Sequence, residues 1–238
     1  MTDRPLDFDA LILTGGRGRR LGGRDKAALP VAGTPMLQRA LAACHGAGSV
    51  IVAGGGTVPT VAARGPVPQD MHQVQEDPPD GGPVAGIVAG LELVSSPWVL
   101  VLAVDQPDAG RAVPGLLAAA ERAASGTEPP ETRADASAEA SPGPGASAEA
   151  PGPAAEFEDA KPADLYCHVD SGGYPQWLLG LYRTSALRAA ATRVGTGHGV
   201  SVRSLTAGLA MSRVSEGGEH TGDVDTWADH AHWDARLR

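Results

Sequence analysis

A short apolar run, Ala10-Leu-Ile-Leu13, stops at Thr14 and gives way to a loop that holds five glycines and five cations. The glycines are Gly15, Gly16, Gly18, Gly22 and Gly23; the cations are Arg17, Arg19, Arg20, Arg24 and Lys26, with Asp25 the one acid among them. A continuous apolar run of that length suits a strand buried on both faces, as in a parallel sheet covered by helices. Glycines let backbone N–H groups approach an anion closely, and Arg and Lys reach it with side chains. The commoner phosphate loops do not fit. A dinucleotide fingerprint begun at Gly16 and Gly18 requires glycine at position 21, where Leu21 stands, and a P-loop requires Gly before its lysine and Ser or Thr after it, where Asp25 and Ala27 stand.

The rest of the chain repeats the alternation of strand and helix. Thr34-Pro35 predicts a helix start, with Thr34 as cap and Pro35 at the first helical position. Leu37, Ala40, Leu41 and Cys44 then follow at helical spacing. Val50–Ala53 reads as a second strand and Met71–Glu76 as a weaker third. Val84, Ile87, Val88 and Leu91 mark a second helix, and Trp98–Val104 is the most apolar strand, ending at Asp105. Helices are expected over Val113–Ala124, Ser185–Arg193 and Trp227–Leu237, the last capped by Asp225 or Thr226, and a strand over Gln176–Tyr182, with Val200–Leu205 unassigned. This pattern implies one three-layer α/β/α domain over residues 1–238 with a mostly parallel, Rossmann-like sheet. Ligands of such sheets sit at the carboxyl ends of the strands, so Gly15, Gly54 and Asp105 should share one edge.

Charge is unevenly placed. Of a formal −9, the stretch from Glu128 to Asp159 carries −7, from eight acids against Arg133. It contains no Val, Ile, Leu or Met, and Ala-Ser-Ala-Glu-Ala occurs twice, at 136–140 and 146–150. Such a composition cannot bury enough apolar surface to offset its ordering entropy, so residues 125–162 are expected to be a low-complexity, disordered insertion. Cys44 and Cys167 form neither a disulfide framework nor a Cys-x-x-Cys pair. With no leader-like segment and no run of about 18 apolar residues, a cytoplasmic protein is expected, with neither membrane nor nucleic acid as partner.

The run Leu13-Thr-Gly-Gly-Arg-Gly-Arg-Arg-Leu-Gly-Gly-Arg-Asp-Lys26 resembles the signature loop of the molybdenum cofactor nucleotidyltransferases. Their pattern is Leu-Ala-Gly-Gly, three residues, Arg-Met-Gly-Gly, one residue, Asp-Lys. Thr14 and Leu21 are the two departures; Leu21 conserves volume, while Thr14 adds a hydroxyl close to where the base would lie. Asp105-Gln-Pro107 resembles the family's metal-binding aspartate motif, Asp223-Val-Asp-Thr226 its late Asn-Val-Asn-Thr segment, and Glu76-Asp77 with Gly82-Pro-Val-Ala-Gly86 its nucleotide-contacting loop. The resemblance implies Mg2+ held by Asp105 and Asp225, nucleotide contacts from Leu13, Thr14, Gly15, Gly16, Lys26, Asp77 and Asp105, and catalytic cations Lys26 and Arg20. Each carboxylate also has a plainer reading: Asp105 as a loop or helix cap, Asp225 as the cap of the last helix, Asp77 as part of the turn Asp77-Pro-Pro-Asp-Gly. Tyr174-Pro175 stands where relatives have His-Pro, near the acceptor. His230 and His232, two apart on a helix, cannot share a face and read as surface residues.

By that resemblance the expected reaction is transfer of GMP from GTP to the terminal phosphate of the molybdopterin-bound molybdenum cofactor. Pyrophosphate is released, and molybdoenzymes or cofactor-delivery proteins stand downstream. Relatives that use CTP tend to carry Leu-Ala-Ala-Gly, so Gly15-Gly16 favours guanine. The alternatives are a cytidylyltransferase for the same cofactor, a sugar-1-phosphate nucleotidyltransferase, or a nucleotide-binding regulatory or docking protein without turnover.

Overall fold

The structure is a computed structural model that describes residues 5–15, 21–55, 70–126, 134–135, 163–170, 173–215 and 220–238. Its first half runs β1 (Phe8–Leu13), a small hairpin of β2 (Pro30–Val31) and β3 (Thr34–Pro35), α1 (Met36–Ala43), β4 (Val50–Ala53), β5 (Met71–Val74), α2 (Pro83–Leu91), β6 (Trp98–Ala103) and α3 (Ala109–Ala124). The second half adds β7 (Ala134–Asp135), β8 (Leu165–Val169), β9 (Pro175–Arg183), α4 (Thr184–Val194), α5 (Val202–Thr206), β10 (Ala210–Ser215) and α6 (Trp227–Arg236).

Eight of these strands form one sheet in the order β5-β4-β1-β6-β9-β8-β10-β7. The expected mostly parallel sheet is present. β5, β4, β1 and β6 run parallel, β9 is antiparallel to both its neighbours, and β10 is parallel to β8. In β1, Phe8, Ala10 and Ile12 enter the apolar cluster that α1, α3 and α6 cover, and Leu11 enters the opposite cluster beneath α2, α4 and α5. Both faces of the strand are dry, which is why its sequence is continuous rather than alternating. Among the glycines, Gly90 has a packing reason: a Cβ there would collide with the Leu11 side chain, so its absence lets α2 lie close on β1.

Several boundaries differ from expectation. Thr34 is not a helix cap. Thr34 and Pro35 pair with Val31 and Pro30, and α1 begins one residue later without a side-chain cap. α3 starts at Ala109 rather than Val113, placing Pro114 inside the helix, where burial of Ala109 and Ala112 offsets the hydrogen bond that proline cannot make. The unassigned stretch at 200–205 is the short helix α5, which Ser201 caps by accepting from the Ser204 amide. Thr226, not Asp225, caps α6: its hydroxyl accepts from Asp229 N while the Asp229 carboxylate accepts from Thr226 N. β8 and β10 were not expected. Most of residues 125–162 lies outside the described residues; within that stretch Ala134 and Asp135 pair antiparallel with Met211 and Ala210. Both cysteines are buried, and burial pushes the Cys44 thiol up to about 12 and that of Cys167 higher still, leaving them as small apolar side chains.

At the amino end of the parallel strands one buried carboxylate gathers three chain segments. Asp9, 1% exposed, accepts hydrogen bonds from the amides of Ser49 (3.0 Å), Ser95 (2.6 Å) and Ser96 (2.9 Å), with the Ser96 hydroxyl at 3.0 Å. Burial pulls its pKa up, but these donors outweigh it and hold the carboxyl below its ordinary value. The stabilisation is therefore complete above the ordinary carboxylate range near pH ~4 and is lost as pH falls through the lower folded value. Replacing Asp9 by Ala strands buried donors and is expected to cost on the order of 3 kcal/mol in urea denaturation at pH 7. The cost should shrink when the same comparison is made at pH 3.

Candidate functional site

At the opposite edge of the sheet, β1, β4 and β6 end side by side, and Thr14-Gly15, Gly54-Gly55 and Val104-Asp105 leave them into one cleft of about 1050 Å³. Gly15, Gly54 and Asp105 thus share the edge the sequence predicted, at the carboxyl ends of parallel strands. The cleft is also lined by Gly23 of the glycine loop, Gly82 at the start of α2, Trp177 on β9 and Arg203 on α5, and the segment leading into α5 is tied to the start of α2 by Gly199 N donating to Gly81 O (3.0 Å). Two of these loops touch at Gly54. Its φ is +131°, and a Cβ would lie 2.7 Å from Thr14 Oγ1 and 2.9 Å from Gly15 N. Only glycine satisfies both the conformation and the contact.

Thr14 is held by the neighbouring strand end: both its amide (2.9 Å) and its hydroxyl (3.1 Å) donate to Ala53 O. The hydroxyl that departs from the resembled pattern is engaged with the sheet. Leu21 is 1% exposed and belongs to the core cluster, so it anchors the glycine loop, as a volume-conserving replacement should. Downstream, the Asp25 carboxylate accepts from Ala27 N (2.9 Å) and Leu29 N donates to Lys26 O (3.1 Å), fixing the backbone on both sides of Lys26.

Lys26 joins the site together. Its Nζ lies 2.8 Å from Asp105 Oδ2 and 2.6 Å from Asp225 Oδ1, with 11% of the side chain exposed. Burial lowers its pKa, but hydrogen bonds and charge from the two aspartates prevail and raise it, so the ammonium is charged at neutral pH. The second aspartate is placed by α6: Asp229 Oδ2 accepts from Asp225 N (3.1 Å) and Thr226 N (2.7 Å), and Val224 N donates to Asp105 O (2.9 Å). Asp223 stands close by on the cleft wall. Burial first, then the charges of Asp105 and Asp225, raise its pKa.

The structure brings Leu13, Thr14, Gly15, Asp105, Lys26 and Asp225 to one edge, with the first four on the cleft wall. Asp77 is exposed and does not line the cleft; Glu76 and Asp80 of the same loop do. Gly16 and Arg20 lie outside the described residues. Of the five loop cations, Arg24 is described along with Lys26; it lines the cleft and stands 5.8 Å from the Trp227 ring of α6. Sequence reasoning missed Asp223, Trp177 and Arg203. Asp223 could have been found, since it occupies the first of the two amide positions of the resembled segment.

A family model described as the MobA-like NTP transferase domain matches residues 10–213. The molybdenum cofactor guanylyltransferase of Cupriavidus taiwanensis is 35% identical over 102 residues, 42% of this chain and 49% of that protein. That of Acidiphilium cryptum is 39% identical over 116 residues, 47% and 57% of the two chains. The chain thus spans about half the length of the curated relatives it matches. Among solved structures, molybdopterin-guanine dinucleotide biosynthesis protein A from Archaeoglobus fulgidus superposes with a TM-score of 0.61 at 14% identity, covering 96% of this chain and 98% of that one. The 2-C-methyl-D-erythritol 4-phosphate cytidylyltransferase of Thermus thermophilus gives 0.56 at 19% identity, with 96% and 98% covered. At those identities the superpositions establish the α/β fold.

The two contacts at the touching loops have different weights. Thr14→Ala removes one hydrogen bond and should cost about 1 kcal/mol, read as a small fall in the midpoint of thermal unfolding. Gly54→Ala should cost about 2 kcal/mol or more, because a positive φ and a backbone collision with Gly15 N both oppose it. Adding Thr14→Ala should not restore it.

Proposed function

The chain belongs to the MobA-like NTP transferase domain family, and from that premise we propose that it transfers GMP from GTP to the terminal phosphate of the molybdopterin-bound molybdenum cofactor. An oxygen of the acceptor phosphate forms a bond to the α-phosphorus, the bond from that phosphorus to the bridging α–β oxygen breaks, and pyrophosphate leaves with the electron pair. The observation that carries this reading is the convergence of Lys26, Asp105 and Asp225 beside a glycine-lined cleft at the carboxyl edge of the sheet.

The acceptor phosphate is already an anion and needs no general base. The difficulty lies in bringing two polyanions into line and stabilising charge on the departing pyrophosphate. Lys26 supplies a permanent positive charge on a backbone fixed from both sides, and Arg20, by resemblance, supplies another. Gly15 and Gly23 line the cleft, and glycine lets main-chain amides approach phosphate oxygens closely. Trp177 and Arg203 line the same cleft, and on this reading they contribute to binding the acceptor.

The donor set suits Mg2+. Among the described residues no group of three His, Cys, Asp or Glu forms a metal cage, yet Asp105 and Asp225 present two carboxylate oxygens to one cationic point. A hard dication that also takes phosphate oxygens needs only one or two carboxylates. When bound there it would neutralise phosphate charge and orient the leaving group.

Guanine is supported by Gly15-Gly16 and by the sequence relatives, which are molybdenum cofactor guanylyltransferases. On the same proposal molybdoenzymes or cofactor-delivery proteins receive the product and the reaction takes place in the cytoplasm. Among the described residues no helix is long and apolar enough to cross a membrane.

Incubating the protein with Mg2+, the molybdenum cofactor and either GTP or CTP should release pyrophosphate with GTP. Release with CTP alone would overturn the choice of base, and release with neither would overturn the enzymatic reading. Lys26→Ala should lower kcat/KM about 10²- to 10³-fold, the usual loss when one preorganised charge donor is removed; unchanged turnover would remove Lys26 from the mechanism.

A further inference from the structure

We propose that Lys26 is the resident occupant of the dication site: its ammonium holds Asp105 and Asp225 in the nucleotide-free protein, and a divalent cation gains those carboxylates when a polyphosphate draws Lys26 away. This rests on the reading of Asp105 and Asp225 as metal ligands given above.

The two carboxylates come from elements 120 residues apart, β6 and the approach to α6, and both direct an oxygen at one nitrogen, at 2.8 and 2.6 Å. Those contacts use lone pairs that a dication would use. Lysine and metal cannot share them, because a dication on the same oxygens would stand against the ammonium in a pocket where 11% of that side chain is exposed. The exchange is mechanically simple. Asp25 and Leu29 fix the Lys26 backbone, so its long side chain swings about a stationary Cα, and the glycine-lined cleft lies alongside. The carboxylates stay where they are, since Asp105 O is bonded to Val224 N and the Asp225 amide to Asp229.

Mutual exclusion of lysine and metal has a thermodynamic consequence. A triphosphate gives Lys26 a new anionic partner, so nucleotide and metal must bind with positive coupling, each raising the affinity for the other. The free protein should hold divalent cations weakly although it presents two converging carboxylates.

The test uses the full chain without nucleotide. Mn2+ binding is followed by the paramagnetic signal of the free ion, for the native protein and for Lys26→Gln. The proposal expects at least about tenfold tighter Mn2+ binding by Lys26→Gln. Equal or weaker binding, or no binding by either protein, overturns it. Should the variant fail to fold, the native protein decides: acetylation of Lys26, read by mass spectrometry, should rise several-fold when excess Mg2+ replaces NaCl of equal ionic strength, and no rise overturns the proposal. The functional reading is judged separately. Pyrophosphate release with unaltered Mn2+ affinity would remove the exchange and leave the transferase; tighter Mn2+ binding without pyrophosphate release would do the reverse.

Discussion

One ammonium bonded to two carboxylates ties this molecule's working edge together. Lys26 lies 79 residues from Asp105 and 199 from Asp225 in sequence, so the ion pair links the glycine loop, the end of the central sheet and the approach to the last helix. Its partners are firmly placed: Asp105 stands two residues after a strand dry on both faces, and Asp225 precedes a helix held by a reciprocal cap. A group this short of solvent and this well surrounded by opposite charge stays ionised, so the ion pair that joins these three segments is formed in place at that edge.

That placement follows from the parallel arrangement of β1, β4 and β6. Parallel strands point their carboxyl ends the same way, so the loops that leave them must meet, and small residues decide how closely. Gly54 lets the loop after β4 touch the loop after β1, and Gly90 lets α2 settle against β1, so Gly82 at the head of that helix reaches the cleft. The antiparallel β9 then brings residues 175–178 to the same cleft, so its lining is built from different parts of the sheet.

The first half of the fold could be read from residues because its signals are local: uninterrupted apolar strands, glycines at their ends and helical spacing between. The second half could not be read so well. β8 mixes Tyr, Cys and His with apolar residues, and β10 alternates around Arg213, so each becomes a strand through its neighbours rather than through composition. α3 begins at Ala109, a turn before the expected Val113, and carries Pro114 in its interior, a place where proline is uncommon. The site divides similarly. Lys26 and Asp105 sit in dense motifs, whereas Trp177 and Arg203 acquire their place through packing between distant elements, which no spacing announces. Asp225 was found without its mode of support: it stands before the capping threonine, and the carboxylate that fixes its backbone is Asp229.

The serine amides gathered by Asp9 lie at the amino ends of the strands whose carboxyl ends open into the cleft. The buried clasp and the cleft are therefore housed at opposite rims of one sheet, with the full length of a strand between them. Changes that toughen the chain toward acid can be sought at the first rim without retuning the second, and changes of substrate at the second can accumulate without loosening the clasp. The architecture gives a protein engineer two nearly independent dials.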